Sequence, residues 1–97
     1  MKVIRFNSPK GQFELELKLV AENRAEHYSI SGYSSEQFKE EVDFVMNYDF
    51  EGIDWLINNT NFEDWQEQAT KINDKVNVTD EDFWCSSDDF QIVEAQN

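Results

Sequence analysis

Carboxylate side chains are the groups through which this chain could do chemistry, because 21 Asp and Glu stand against eight Lys and Arg and one His. Several acids are spaced one helical turn apart: Glu36 and Glu40, with Asp43 three residues further on, and Glu63 and Glu67. Residues four apart lie on one face of a helix, about 6 Å apart along its axis. Carboxylate rows with this spacing can attract cations or imitate the phosphates of a nucleic acid.

The other side chains give little support to catalysis. His27 is the one histidine and Cys85 the one cysteine, so Cys85 has a single candidate base and no surrounding Cys/His signature. The three glycines are too far apart to form a phosphate-binding loop. We therefore expect a protein that is not an enzyme and has no cofactor, with Cys85 serving as a small apolar side chain.

A calcium-binding loop is partly imitated by the stretch around Asp49. Asn47, Asp49, Glu51 and Gly52 match the first, third, fifth and sixth positions of an EF-hand loop. The match fails at the twelfth position, where Asn58 stands in place of the bidentate glutamate. We therefore predict no metal site.

The length and composition predict one folded domain over residues 1–97. Aromatic residues make up 14% of the chain, whereas acidic disordered segments are poor in aromatics. We expect a core built on the following aromatic side chains: Phe6, Phe13, Phe38, Phe44, Phe62, Trp65 and Phe83. Five aromatics, of which Trp65 is also a core candidate, include candidates for exposed binding anchors: Tyr48, Phe50, Trp55, Trp65 and Trp84.

The formal net charge of −13 excludes two classes of partner. Nucleic acids and anionic membrane surfaces are themselves negative and would repel this chain. No apolar run reaches the ~18–20 residues of a membrane span, and the N-terminus lacks the apolar stretch of a signal peptide. We therefore expect a cytoplasmic protein.

Strands are predicted for the first part of the chain, residues 1–33. Residues 3–6 alternate between apolar and polar side chains, and a turn cluster with the one proline follows them. Residues 13–19 alternate in the same way, so the two runs form a hairpin. Residues 27–33 are predicted as a third strand.

Helices are predicted for the rest of the chain. Ser34 and Gln37 fit a capping box, and residues 38–46 carry apolar side chains at helical spacing. Residues 49–58 form a second predicted helix, although a glycine weakens it, and residues 61–72 form a third that Asn61 caps.

The expected fold class is α+β, with an antiparallel hairpin or three-stranded sheet packed against three or four short helices. A further cap at Thr79 precedes a short turn near Phe83. Residues 88–97 fit either a strand or a helical end, and the sequence leaves both open.

The negative charge is concentrated in the predicted helical part, residues 34–97. Residues 1–24 carry five basic and three acidic side chains, a balance of +2, whereas residues 25–97 carry three basic and 18 acidic side chains, a balance of −15. Like charges at i, i+4 destabilise a helix by about 0.2–0.5 kcal/mol per pair, so stability alone does not favour such rows. The alternative interpretation is a solvated face that keeps the protein soluble.

Two acidic, aromatic-rich stretches, residues 35–44 and 62–67, resemble parts of small phage or mobile-element proteins that mimic DNA, namely anti-CRISPR and anti-restriction inhibitors. The resemblance extends over residues 35–90 and consists of size, charge and carboxylate rows. It implies a stoichiometric inhibitor that occupies the Lys/Arg channel of a CRISPR effector, restriction enzyme or nuclease. These inhibitors share no common fold, so no functional residue can be transferred from them.

The sequence thus predicts a surface of phosphate surrogates that binds a basic nucleic-acid-binding protein or complex. The predicted surrogates are Glu36, Glu40, Glu41, Asp43, Asp49, Glu51, Asp54, Glu63, Asp64 and Glu67. Two alternatives stay open. One is an immunity protein or antitoxin that neutralises a basic nuclease toxin, and the other is a divalent-cation-binding regulator that uses the carboxylate clusters.

Overall fold

The computed structural model describes residues 1–74 and 90–95. The predicted α+β class is confirmed, with one strand more than expected in these two ranges. The strands are β1 (Lys2–Ser8), β2 (Gly11–Glu16), β3 (Thr70–Asn73) and β4 (Phe90–Glu94). The helices are α1 (Leu17–Tyr28), α2 (Ser35–Asn47) and α3 (Asp49–Asn59), with 3₁₀ turns at Ser29–Ser31 and Phe62–Asp64.

The strands of the described ranges form one antiparallel sheet in the order β3-β2-β1-β4. The predicted hairpin is confirmed, and its register closes with Ser8 opposite Gly11. Gly11 has a φ of 138°, which side chains of L residues rarely adopt, and a Cβ at this position would lie 2.6 Å from the carbonyl oxygen of Asn73. A glycine here therefore permits both the turn and the close approach of β3.

Four aromatic rings fill the core beside the sheet. The ring centroid of Phe6 lies 5.9 Å from that of Phe13 and 5.5 Å from that of Phe90, so three adjacent strands contribute one ring each. Phe62 packs edge-on against Phe6 and Phe13, at centroid distances of 6.0 and 5.3 Å. Such pairs contribute about 0.5–1.5 kcal/mol beyond their buried area, so they hold the Phe62 turn against the sheet.

The three helices complete the core with mostly branched and small side chains. These are Leu17, Val20, Ala21 and Ala25 of α1, Val42 and Val45 of α2, and Ile53, Trp55 and Leu56 of α3. At Gly52 a Cβ would lie 2.6 Å from Leu17 Cδ1 and 3.3 Å from Val45 Cγ1. The glycine that weakens the prediction of α3 is thus the residue that lets α3 approach the other two helices.

The predicted strand over residues 13–19 is correct only as far as Glu16, and the predicted strand over residues 27–33 is wrong. Leu17–Tyr28 is helical because its buried side chains recur at helical spacing. No side-chain cap marks the start of this helix, so the alternation of β2 continues into it without a break. Ile30 is 84% exposed, so the expected third strand has no buried face.

The helix predicted over residues 61–72 is also wrong. Phe62 and Trp65 are buried as expected, but they belong to a 3₁₀ turn and the turn that follows it. Thr70–Asn73 instead extends the sheet by pairing with β2. A local pattern could not predict this strand, because its partner lies more than fifty residues earlier in the chain.

The C-terminal segment is a strand over Phe90–Glu94, where the sequence left strand and helix open. It pairs antiparallel with β1, with Phe90 opposite Phe6. The predicted cap at Thr79 and the residues around Phe83, including Trp84 and Cys85, lie outside the described ranges. None of the described helices combines the length and apolar character that crossing a membrane requires.

Candidate functional site

Helix α2 begins at a capping box that fixes where its acidic side chains lie. The Gln37 N–H donates to Ser34 Oγ at 3.2 Å, and the Ser34 N–H donates to Gln37 Oε1 at 2.8 Å, which confirms the predicted cap. Val42 and Val45 then turn one face of the helix into the core. Glu36 stands in the first turn, where the helix dipole favours a negative side chain.

The outer side of α2 presents what we call the acidic row: Glu36, Glu40 and Asp43. All three side chains are exposed, and their spacing of four and three residues places them along one side of the helix. No basic group within residues 1–74 and 90–95 forms an ion pair with any of them, although Lys39 lies on the same helix. Among the described residues, the row therefore presents a negative potential that no ion pair compensates.

Two of the predicted surrogates are instead ion-paired within the molecule. Arg24 Nη1 lies 2.9 Å from Glu41 Oε2, which ties α1 to α2. Lys2 Nζ lies 2.9 Å from Asp49 Oδ1 and also donates to the carbonyl oxygen of Met46 at 3.3 Å, which ties β1 to the junction of α2 and α3. These two carboxylates are locally neutralised and add little to the outward potential.

Helix α3 carries two more of the predicted surrogates. Glu51 is half-buried in its first turn, and Asp54 is exposed one turn later. Asn58 Nδ2 donates to Asp54 Oδ1 at 2.8 Å, which leaves the Asp54 charge in place. Neither carboxylate is ion-paired among the described residues, so α3 extends the negative surface without belonging to the acidic row.

The remaining predicted surrogates, Glu63, Asp64 and Glu67, do not form a helical row, because the chain there is a 3₁₀ turn followed by a further turn. All three instead line one shallow polar depression of about 410 Å³. The Asn61 N–H donates to Asp64 Oδ2 at 2.8 Å, so Asp64 stabilises the start of the turn. We call Glu63, Asp64 and Glu67 the turn cluster. The structure thus separates the ten predicted residues into the acidic row on α2, the turn cluster, two residues on α3 and two residues in internal ion pairs.

The stretch that resembles a calcium loop does not have a loop conformation. Asn47 is the last residue of α2, and Asp49 and Glu51 form the first turn of α3. Within the described ranges, no three His, Cys, Asp or Glu side chains lie close enough together to hold a metal ion. The acidic residues 80–82 lie outside these ranges.

His27 lies in the last turn of α1 rather than in a strand. Its exposed ring contacts Tyr28 and Trp55, at centroid distances of 5.6 and 5.1 Å. Trp55 is itself buried, and its Nε1–H donates to Asn23 Oδ1 at 2.8 Å. These contacts make His27 part of the packing between α1 and α3.

The exposure of Phe44, next to that of Tyr48 at the end of α2, is the feature that sequence reasoning missed. Phe44 was expected in the core, yet it is 40% exposed, because it points away from the face that carries Val42 and Val45. Tyr48, an anticipated anchor candidate, is 62% exposed, and its ring centroid lies 5.3 Å from that of Phe44. The i, i+4 spacing of the two rings, off the valine face, is the sequence signal that would have found them.

The aromatic pair borders the acidic row, since Glu40 and Phe44 are four residues apart on the same helix. Charged and apolar chemistry therefore meet on one exposed surface of α2. No protein-family model matches this chain, and neither a curated protein nor a solved structure is significantly similar to it.

Proposed function

We propose that this chain is a non-enzymatic acidic inhibitor that mimics nucleic-acid phosphates and blocks the DNA-binding groove of a basic nucleic-acid-binding complex, such as a CRISPR effector, restriction enzyme or nuclease. The acidic row carries the proposal, because its three carboxylates are exposed and unpaired among the described residues. Lys2, Arg5 and Arg24 could neutralise part of the negative surface, but each is ion-paired with a carboxylate that does not belong to the acidic row.

The physical basis is competition for the same cations. A nucleic-acid groove attracts phosphates through Lys and Arg side chains, and a row of carboxylates about one helical turn apart presents a comparable series of charges. Association should then be fast and should weaken steeply as salt screens the two surfaces. Direct binding to nucleic acid is excluded by the charge of −13.

The proposal is tested by capture from a bacterial lysate with the full chain as bait. Bound proteins are eluted between about 50 and 300 mM salt, the range over which phosphate-type contacts weaken most, and identified by mass. We expect a basic nucleic-acid-binding complex, and we expect the added chain to displace DNA from that complex once it is purified. A dedicated nuclease toxin as the captured protein would favour the immunity alternative instead.

Charge reversal locates the interaction on the molecule. Glu40→Lys with Asp43→Lys should weaken binding to the purified complex by more than about 1 kcal/mol, because both reversals fall in the acidic row. Glu63→Lys with Glu67→Lys changes the net charge equally in the turn cluster and should cost less. Circular dichroism checks that both double variants remain folded. The proposal is wrong if affinity is indifferent to both pairs of reversals and to salt.

A further inference from the structure

Three exposed aromatic side chains lie near the contact of α1 with α2, and we call them the aromatic surface: Tyr28, Phe44 and Tyr48. Tyr28 and Phe44 both contact Arg24, and Tyr48, the residue that follows α2, contacts Phe44. Their exposed fractions are 44%, 40% and 62%. Most other aromatic side chains of the described ranges are buried, so this surface leaves apolar area in water that the fold does not use. Aromatic side chains of this kind are enriched among the residues that dominate binding energy at protein interfaces.

The molecule already shows which group this surface accepts. The guanidinium carbon of Arg24 lies 4.9 Å from the ring centroid of Tyr28 and 5.2 Å from that of Phe44. The same guanidinium donates to Glu41 Oε2 at 2.9 Å. Two rings within cation–π distance and one carboxylate that accepts an N–H thus surround a single guanidinium, and a planar group that stacks and donates together suits Arg better than Lys.

The exposed part of the surface has the same kinds of groups, aromatic rings beside carboxylates. The rings of Phe44 and Tyr48 lie 5.3 Å apart in a tilted arrangement and remain exposed, and Glu40 and Asp43 are close to them in the sequence of α2. Neither carboxylate has an ion-pair partner in the part of the chain that the structure describes. A second guanidinium arriving from outside would therefore meet aromatic faces and an unpaired carboxylate.

The negative charge of the chain determines which kind of molecule can bind the aromatic surface. A second copy of this chain would bring another −13 and would set one acidic row against another. An oligonucleotide would be repelled for the same reason. We propose that the aromatic surface binds arginine side chains of a basic protein, so that recognition depends on Arg rather than on positive charge in general. This inference rests on the proposed function, because it specifies which residue type of the basic partner is bound beside the acidic row.

Two peptides of equal charge test the inference. Fluorescence anisotropy measures binding of labelled nona-arginine and nona-lysine to the full chain at one salt concentration. We expect nona-arginine to bind about five- to ten-fold more tightly, since its guanidinium groups can stack on the rings. Phe44→Ala with Tyr48→Ala should bring the two affinities close together. Ile72→Ala is the matched control, because it removes a side chain that is 42% exposed on β3, and it should leave the preference unchanged.

The outcomes separate this inference from the proposed function. Equal affinity for the two peptides, with both weakened by Glu40→Lys and Asp43→Lys, overturns arginine selectivity and leaves phosphate mimicry intact. Failure of both peptides to bind overturns the inference, and the captured complex then decides the proposed function alone. An unchanged preference in the Phe44/Tyr48 variant also overturns the inference. Sedimentation that shows a dimer lost in that variant would identify a second copy as the occupant instead.

Discussion

The β1–β2 hairpin and the outer side of α2 use the same residue types in opposite ways. In the hairpin, Arg5 donates through Nε and Nη2 to Glu14 Oε2, at 3.0 and 2.6 Å, across the two strands. Phe6 and Phe13 on the same strands are stacked and buried. In the acidic row on α2 the carboxylates have no ion pair among the described residues, and Phe44, whose ring is tilted against that of Tyr48, is exposed. Charge and aromatic area stabilise the fold in the first region and remain available to a partner in the second.

Under the proposed function, stability and binding would depend on separate parts of the molecule. A chain of 97 residues has a thin margin of stability, so leaving aromatic area exposed and like charges adjacent is a real cost. The hairpin, with its paired charges and buried rings, offsets part of that cost. Variants in the two regions should therefore affect different measurements.

The largest expected difference is between two phenylalanine truncations. Phe6→Ala should lower the free energy of unfolding by about 3–5 kcal/mol, because a ring that is 1% exposed leaves a cavity among three other rings. Phe44→Ala should cost less than about 1 kcal/mol, because much of its ring is already in water. Urea denaturation of both variants gives the comparison, and equal losses would show that Phe44 stabilises the fold as much as a core ring does.

A smaller loss of stability is expected at Arg24 of α1, which forms a structural ion pair and also contacts two exposed rings. Arg24→Ala should destabilise the fold by about 1–2 kcal/mol, because it leaves the half-buried Glu41 without its partner and removes packing against two rings. Arg24→Lys keeps the charge but loses the planar stacking, so its cost should be intermediate. Thermal unfolding of the two variants checks this order. A lysine variant as stable as the original would mean that the rings add nothing to the ion pair.

The smallest expected effect is a change in stability that has opposite signs in the hairpin and on α2. Glu14→Gln removes the cross-strand partner of Arg5 and should lower stability by about 0.5–1 kcal/mol. Glu40→Gln removes a like-charge neighbour of Glu36 and should raise stability by about 0.2–0.5 kcal/mol. Denaturation at low salt measures both changes, and they should shrink as salt is added. Two losses of equal size would remove the distinction between structural and exposed carboxylates.

Local patterns in the sequence predicted the elements whose signals are local. The turn at Gly11 and the capping box at Ser34 each act within a few residues, and both the hairpin turn and the start of α2 are where they were expected. The helix after β2 was missed because Leu17 continues a strand alternation while also starting a helical face. The strand over Thr70–Asn73 was missed because a distant edge of β2 decides it.

In the candidate site, too, the features with local signals were predictable and those that depend on distant contacts were not. The acidic row was predictable because a helix with a recognisable cap fixes the spacing of its carboxylates. The pairing of Glu41 with Arg24 and of Asp49 with Lys2 was not, because each ion pair joins elements whose packing the sequence does not specify. The exposure of Phe44 depends in the same way on which side of α2 meets the core.

The position of β1 in the middle of the sheet sets an order of assembly. One neighbour, β2, is joined to β1 by a two-residue turn. The other, β4, is far from β1 in the sequence, since it pairs Phe90 with Phe6. Closing a long loop costs more conformational entropy than closing a short one, so the hairpin should form before β4 joins it. Pulse-labelled hydrogen exchange during refolding should protect amides of β2 earlier than those of β4. Simultaneous protection of both strands would instead indicate that the sheet forms in a single step.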